Sequence, residues 1–153
     1  GHCLPTRSLS DGRSGESQLN LTSSGKLVDS IFVFCDIRQF TDTTECLQEE
    51  VMLFVNRIAS LLHDLVASYG GSPNKNVGDA FLLVWKLSGQ GSDRRGPAAT
   101  ASADRALYCV LKFLLELELS GDYVCGSFST AASQRLHARM PDYHVSVGFG
   151  LHV

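Results

Sequence analysis

The chain has 153 residues, 44% of them hydrophobic and 19% charged, with a formal net charge of −3. That length and apolar content suit one ordinary globular domain and exclude a disordered chain. The slightly negative balance, with no basic run, offers no bulk attraction to nucleic acid or an acidic membrane surface, and no nucleic-acid partner is expected.

The five cysteines, Cys3, Cys35, Cys46, Cys109 and Cys125, form no C-x-x-C pair. Several sit in apolar stretches, where cysteine behaves as a small hydrophobe. A reducing compartment is expected rather than a disulfide framework, and no spacing fits a zinc site. No stretch reads as the ~18 apolar residues of a transmembrane helix.

In chain order, residues 1–29 are rich in Ser, Gly and Thr and read as a flexible tail or linker. The domain is expected over 30–153. "IFVFCDI" (31–37) is apolar on both faces and predicts a central strand. Thr41 to Thr44 offer helix caps, and Val51, Phe54, Val55, Ile58, Leu62, Leu65 and Val66 recur at helical spacing until Gly70-Gly71. A long amphipathic helix preceded by a short one follows.

"SPNKNVGDAFLLVWKL" (72–87) predicts strand, turn and strand, with the turn near Gly78-Asp79. Residues 88–97 read as a loop. Residues 98–119 predict a second long helix with Ala103, Ala106, Leu107, Val110, Leu114 and Leu117 on its apolar face. A loop with a helical stretch near 131–139 precedes "YHVSVGFGLHV" (143–153). That strand sets Val145, Val147, Phe149 and Leu151 against Ser146, Gly148, Gly150 and His152. The order predicts an α+β, ferredoxin-like layer fold, with a mainly antiparallel sheet and helices on one face.

Two acids stand out. Asp36 ends the first strand, and Asp79 sits at the turn between the next two. If the strands are neighbours, both carboxylates meet at one sheet edge. Their repulsion is relieved by a divalent cation, and Mg²⁺ in particular takes carboxylate and phosphate oxygens. A helix starting near Phe40-Thr41 would aim free N–H groups at phosphate there. Each acid alone is more commonly a cap or turn residue, and Lys75 alone a solvated side chain. His63 and His152 lack partners at metal spacing and read as structural.

These stretches resemble the class III nucleotidyl cyclases. "FCDIRQFT" is similar to their F-x-D-I-x-G-F-T motif and "NKNVGDAFLLVW" to K-x-x-G-D followed by an apolar strand. "VSVGFGLHV" is similar to V-G-I-x-x-G, in the same order and spacing. The wording is most like cyclases of protists and algae.

The resemblance implies two Mg²⁺ or Mn²⁺ ions held by Asp36 and Asp79, with the Ile37 carbonyl as a further ligand. It implies triphosphate binding by Phe40 and Thr41, and adenine recognition by Lys75. The implied reaction converts ATP to 3′,5′-cyclic AMP: the ribose 3′-hydroxyl attacks the α-phosphorus in line and pyrophosphate leaves. It further implies a homodimer or cyclase-domain heterodimer in intracellular signalling, at a cytoplasmic site or the cytosolic side of a membrane.

Gln39 replaces the family glycine. The family's later Asn and Arg have no counterpart before Val153, so a C-terminally truncated, catalytically silent fragment is expected. A cyclase-like regulatory module that has lost catalysis is the main alternative, and retention of both aspartates argues against it. A guanylate cyclase is a further alternative. A diguanylate cyclase is disfavoured, because no G-G-D/E-E-F occurs.

Overall fold

The computed structural model describes residues 25, 27–87, 96–120, 125, 126 and 128–153. Most of the expected tail and residues 88–95 of the expected loop lie outside them, as does Cys3, while Pro97, expected in that loop, already begins a helix. Four strands, β1 (Ser30–Ile37), β2 (Ser72–Val77), β3 (Ala80–Lys86) and β4 (Val147–His152), form one sheet in the order β2-β3-β1-β4. Every pairing is antiparallel. The helices are α1 (Phe40–Leu47), α2 (Val51–Ser68), α3 (Pro97–Leu119) and α4 (Thr130–Arg139), with a 3₁₀ turn at Gln48–Glu50 between the first two. This is the antiparallel α+β layer fold that the element order predicts.

The core lies on one face of the sheet. Ile31, Val33, Cys35 and Ile37 of β1 and Phe81, Leu83 and Trp85 of β3 are buried against Phe54, Ile58, Leu62 and Val66 of α2 and Ala106, Cys109, Phe113 and Leu117 of α3. Each such large side chain contributes about 1.5–3 kcal/mol by leaving water. Phe113 meets Phe149 of β4 edge to face at 5.8 Å. The Trp85 indole N–H donates to the Tyr69 carbonyl at 3.1 Å, which ties the end of α2 to β3.

Three expectations need correction. β1 is central, but only one of its apolar faces is buried: Phe32 is 43% and Phe34 55% exposed. Among the described residues the helices cover one side of the sheet, and the alternate residues face outward. On α3 the core stripe is Ala99, Ser102, Ala106, Cys109, Val110, Phe113 and Leu117, whereas Leu107 and Leu114 are exposed. A helix apolar on more than one face has no unique inward direction in its sequence, and packing selects one.

The third concerns membranes. By length and composition alone the run Phe40–Ser68 could cross one, contrary to the reading of the sequence. It is two helices broken at Gln48, where φ is 54° and ψ −118°. Phe54, Ile58, Ala59, Leu62 and Val66 of α2 are buried in the core, while Met52 and Leu53 are exposed.

Glu50 fastens α4. Its carboxylate accepts the Ser129 backbone N–H at 2.8 Å and the Ser129 hydroxyl, while Ser129 Oγ in turn accepts the Ala132 N–H at 3.2 Å as the cap of α4. These bonds hold the Glu50 carboxyl below the ordinary glutamate range. A depressed carboxyl stabilises the fold at neutral pH and loses that contribution as pH falls through its folded value. Glu50→Gln should therefore remove part of the acid-side loss of stability in denaturant melts taken at successive pH values. An unchanged pH profile would mean that the carboxylate contributes nothing.

Gly71 follows the αL residue Gly70 (φ 74°) and lies against the Trp85 ring, where an added Cβ would come 2.4 Å from an indole carbon. Trp85 is 1% exposed and cannot swing away. Gly71→Ala should cost about 1–3 kcal/mol by overpacking, read as a lowered urea midpoint. A midpoint equal to wild type would show that the indole yields.

Candidate active site

The register brings the two aspartates to one edge of the sheet. Asp36 pairs with Ala80 on β3 and with Gly148 on β4. Asp79 occupies the turn just before Ala80, and its carbonyl accepts the Ile37 N–H at 3.1 Å. Directly paired antiparallel residues have Cα atoms about 4.5–5.5 Å apart, and Asp79 is one residue from direct opposition to Asp36. Gly78 has φ 61°, a conformation that favours glycine and turns the chain within two residues. Both aspartates are partly exposed.

Asp36 belongs to the outward row of β1, after Phe32 and Phe34. Its inward neighbour Cys35 is buried, and burial first, then the Asp36 charge, pushes that thiol up to about 12. Cys35 is thus a neutral core group beside the site and not a nucleophile.

α1 starts directly after β1. Its N-cap is Gln39, held left-handed at φ 55°, ψ 29°, with no side-chain capping bond. The family glycine is replaced here by a residue forced into the glycine conformation. Thr41, Asp42, Thr43 and Thr44 are therefore inside the helix and not ahead of it, correcting the expected cap. Thr43 donates through both N–H (3.0 Å) and hydroxyl (2.9 Å) to the Gln39 carbonyl. The N–H groups of Phe40, Thr41 and Asp42 precede Thr43, whose N–H is the first helical donor, and so belong to the helix start that in other proteins binds anions. Phe40 packs partly on the core, and Thr41 is exposed.

α4 clamps α1 in place. Arg139 bonds Asp42 and Glu45, each at 2.7 Å, and Arg135 Nε donates to the Cys46 carbonyl at 2.8 Å. The Thr43 hydroxyl also reaches the Tyr143 phenol at 3.3 Å. Burial pushes that phenol up to about 12, so it stays neutral. None of these contacts has a local sequence signature, since they join residues about 80–100 positions apart.

Two further residues shape the site. Arg38 lies two residues after Asp36, and its Nη1 donates to Asp36 Oδ2 at 3.2 Å. Gly148 stands opposite Asp36, and a Cβ there would meet the Arg38 guanidinium.

Lys75 is not brought to the aspartates. It pairs with Leu82 on the edge strand β2, and Leu82 pairs with Phe34. It is thus two strands across from β1 and two residues along from Asp36, roughly 12 Å away by strand spacing and rise. With His63, Pro73, Asn74 and Asn76 it lines a cavity of about 280 Å³. His63 Nε2 is buried there without a hydrogen-bond partner among the described residues, and its ring meets Phe81 edge-on at 6.2 Å.

The donor set fits a hard divalent cation. Asp36, Asp79 and the Ile37 carbonyl supply only oxygen, and Asp36 already bonds one cation, the guanidinium. Among the described residues no group of three or more His, Cys, Asp or Glu gathers. Such an ion is commonly held by one or two carboxylates, with phosphate oxygens and water completing the shell.

Comparison with known proteins agrees with the fold. No protein-family model and no curated protein matches the chain. Among solved structures, a bacterial light-regulated adenylyl cyclase is 25% identical with a TM-score of 0.61, over 86% of this chain and 32% of that one. The adenylyl cyclase CyaB from P. aeruginosa is 19% identical with a TM-score of 0.56, over 80% of this chain and 54% of that one. The guanylate cyclase domain of RhGC from Catenaria anguillulae, in complex with GTP, is 22% identical with a TM-score of 0.54, over 83% and 57%. The chain spans between a third and somewhat more than half of these structures. It carries the class III nucleotidyl cyclase catalytic-domain fold, shared by adenylyl and guanylyl enzymes alike.

The left-handed Gln39 yields a test. Gln39→Gly should be neutral or stabilising, whereas Gln39→Val should cost about 1–2 kcal/mol, because β-branched residues are outliers at positive φ. Equal losses in both variants, measured by denaturant melts, would show that the side chain and not the backbone matters at this position.

Proposed function

We propose that this chain forms the metal- and phosphate-binding half of a nucleotidyl cyclase domain that converts ATP to cyclic AMP and pyrophosphate. One observation carries the reading: the ladder that sets Asp36 opposite Ala80 while Asp79 accepts the Ile37 N–H. Asp36, Asp79 and the Ile37 carbonyl would hold Mg²⁺ or Mn²⁺, which when bound lower the pKa of the attacking hydroxyl and offset charge on the phosphates. The N–H groups of Phe40 and Thr41 orient the triphosphate by hydrogen bonding, and the α4 clamp keeps that helix start fixed to the strand end.

Lys75 is the basis for proposing adenine. An ammonium donates well to the adenine N1 acceptor and poorly to guanine, whose N1 carries a hydrogen. Its distance from Asp36 suits an action in a partner's site rather than its own. We assign the partner as a second cyclase domain, in a homodimer or heterodimer, seated on the open sheet face where Phe32 and Phe34 remain exposed. Cytoplasmic placement, or the cytosolic side of a membrane, belongs to the same proposal, since that is where ATP is supplied.

A guanylyl reading is favoured by one specific observation: the similar structures include guanylyl cyclases. The test separates the two. In the natural protein carrying this chain, cyclic nucleotide formation is measured with ATP and GTP side by side in the presence of Mn²⁺. ATP should be preferred, and Lys75→Glu should lower that preference. Asp36→Asn and Asp79→Asn should each reduce turnover by about a hundredfold or more, the scale for loss of one preorganised electrostatic group. Faster turnover of GTP by wild type would overturn the base assignment. Full activity in either aspartate variant would overturn the metal site.

A further inference from the structure

We infer that Arg38 is a built-in competitor for the divalent cation: its guanidinium occupies the Asp36 carboxylate, so that metal loading is a displacement. The inference rests on the metal-site reading above and adds to it a control by this chain's own cation. Arg38 Nη1, from the turn directly after β1, lies 3.2 Å from Asp36 Oδ2. Its backbone N–H is fixed to the Ser146 carbonyl at 2.9 Å, which anchors the side chain at the β1–β4 seam.

Room for the guanidinium is provided by Gly148, the β4 residue paired with Asp36. A Cβ at Gly148 would fall within 3 Å of three guanidinium-end atoms. The missing side chain thus has a positional meaning: it is the space in which Arg38 folds back over Asp36. Among the described residues, Asp36 is the one carboxylate that Arg38 pairs with.

The ion pair is solvent-exposed, with side chains 59% and 45% accessible, so its hold is weak and reversible. A divalent ion carries twice the charge and gains the Asp79 carboxylate as well. It therefore displaces the guanidinium but binds less tightly than it would without the competitor. The positive charge left beside the ion reinforces that penalty.

The test uses Mn²⁺ alone, titrated into the full chain at low ionic strength, with free Mn²⁺ read from its electron paramagnetic resonance signal. Arg38→Gln should tighten Mn²⁺ binding by about three- to tenfold, the range expected for removing an exposed ion pair and a nearby like charge. Gly148→Ala provides a second perturbation, because it expels the guanidinium from Asp36 while leaving Arg38 in the chain. It should tighten binding too, by a smaller factor. Circular dichroism confirms that both variants keep the wild-type fold.

Unchanged or weaker Mn²⁺ affinity in a folded Arg38→Gln, with binding abolished by Asp36→Asn, would overturn the competitor and leave the metal site standing. No binding by wild type or by Arg38→Gln would overturn the metal site itself and the competitor with it.

Discussion

The candidate site depends on one backbone constraint, the double ladder around the end of β1. Asp36 is hydrogen-bonded into the sheet between β3 and β4, and the next residue, Ile37, takes the Asp79 carbonyl. The buried alternate residues lock this register, since a one-residue slip would turn Val33 and Cys35 outward and Phe34 and Asp36 into the core. Burying a carboxylate there would cost far more than any gain from Phe34. The core thereby fixes which side of the sheet carries the Asp36 charge, and the hairpin turn at Gly78 sets the Asp79 backbone beside the end of β1.

From that point the site is assembled by short connections. Only Arg38 and Gln39 separate β1 from α1, so the strand end and the helix N–H groups are neighbours by necessity. The cost of so tight a junction is visible at Gln39, held left-handed without a glycine. α4 offsets it from outside through Arg139 and Arg135, which tie down the helix that the junction launches. Among the described residues, the charged contact at this edge is the exposed Asp36–Arg38 pair.

Much of this was legible in the sequence because it is local. Alternation and helical spacing gave the strands, helices and antiparallel layer fold, and the two aspartates could be placed at a strand end and a hairpin turn. What escaped was whatever needed a second element. β1 looks buried on both faces, but whether Phe32 and Phe34 are covered depends on where the helices go. α3 is apolar around most of its circumference, so Leu107 and Leu114 could not be distinguished from Cys109 and Phe113 by periodicity. Thr41 to Thr44 look like caps, yet the left-handed turn at Gln39 starts the helix before them. Arg139, Tyr143 and Gly148 act across the fold, where one sequence carries no pairing information.

The central claim is that Asp36 and Asp79 form a single divalent-cation site at the sheet edge beside the start of α1. The most direct measurement is paramagnetic broadening of backbone amide resonances in the isotope-labelled chain on addition of substoichiometric Mn²⁺. The account predicts that Asp36, Ile37, Asp79, Ala80, Phe40 and Thr41 broaden first and together, while Ser30 and Lys86, paired at the far end of the same ladder, broaden last. Broadening centred elsewhere, or confined to one aspartate with the other unaffected, would contradict it.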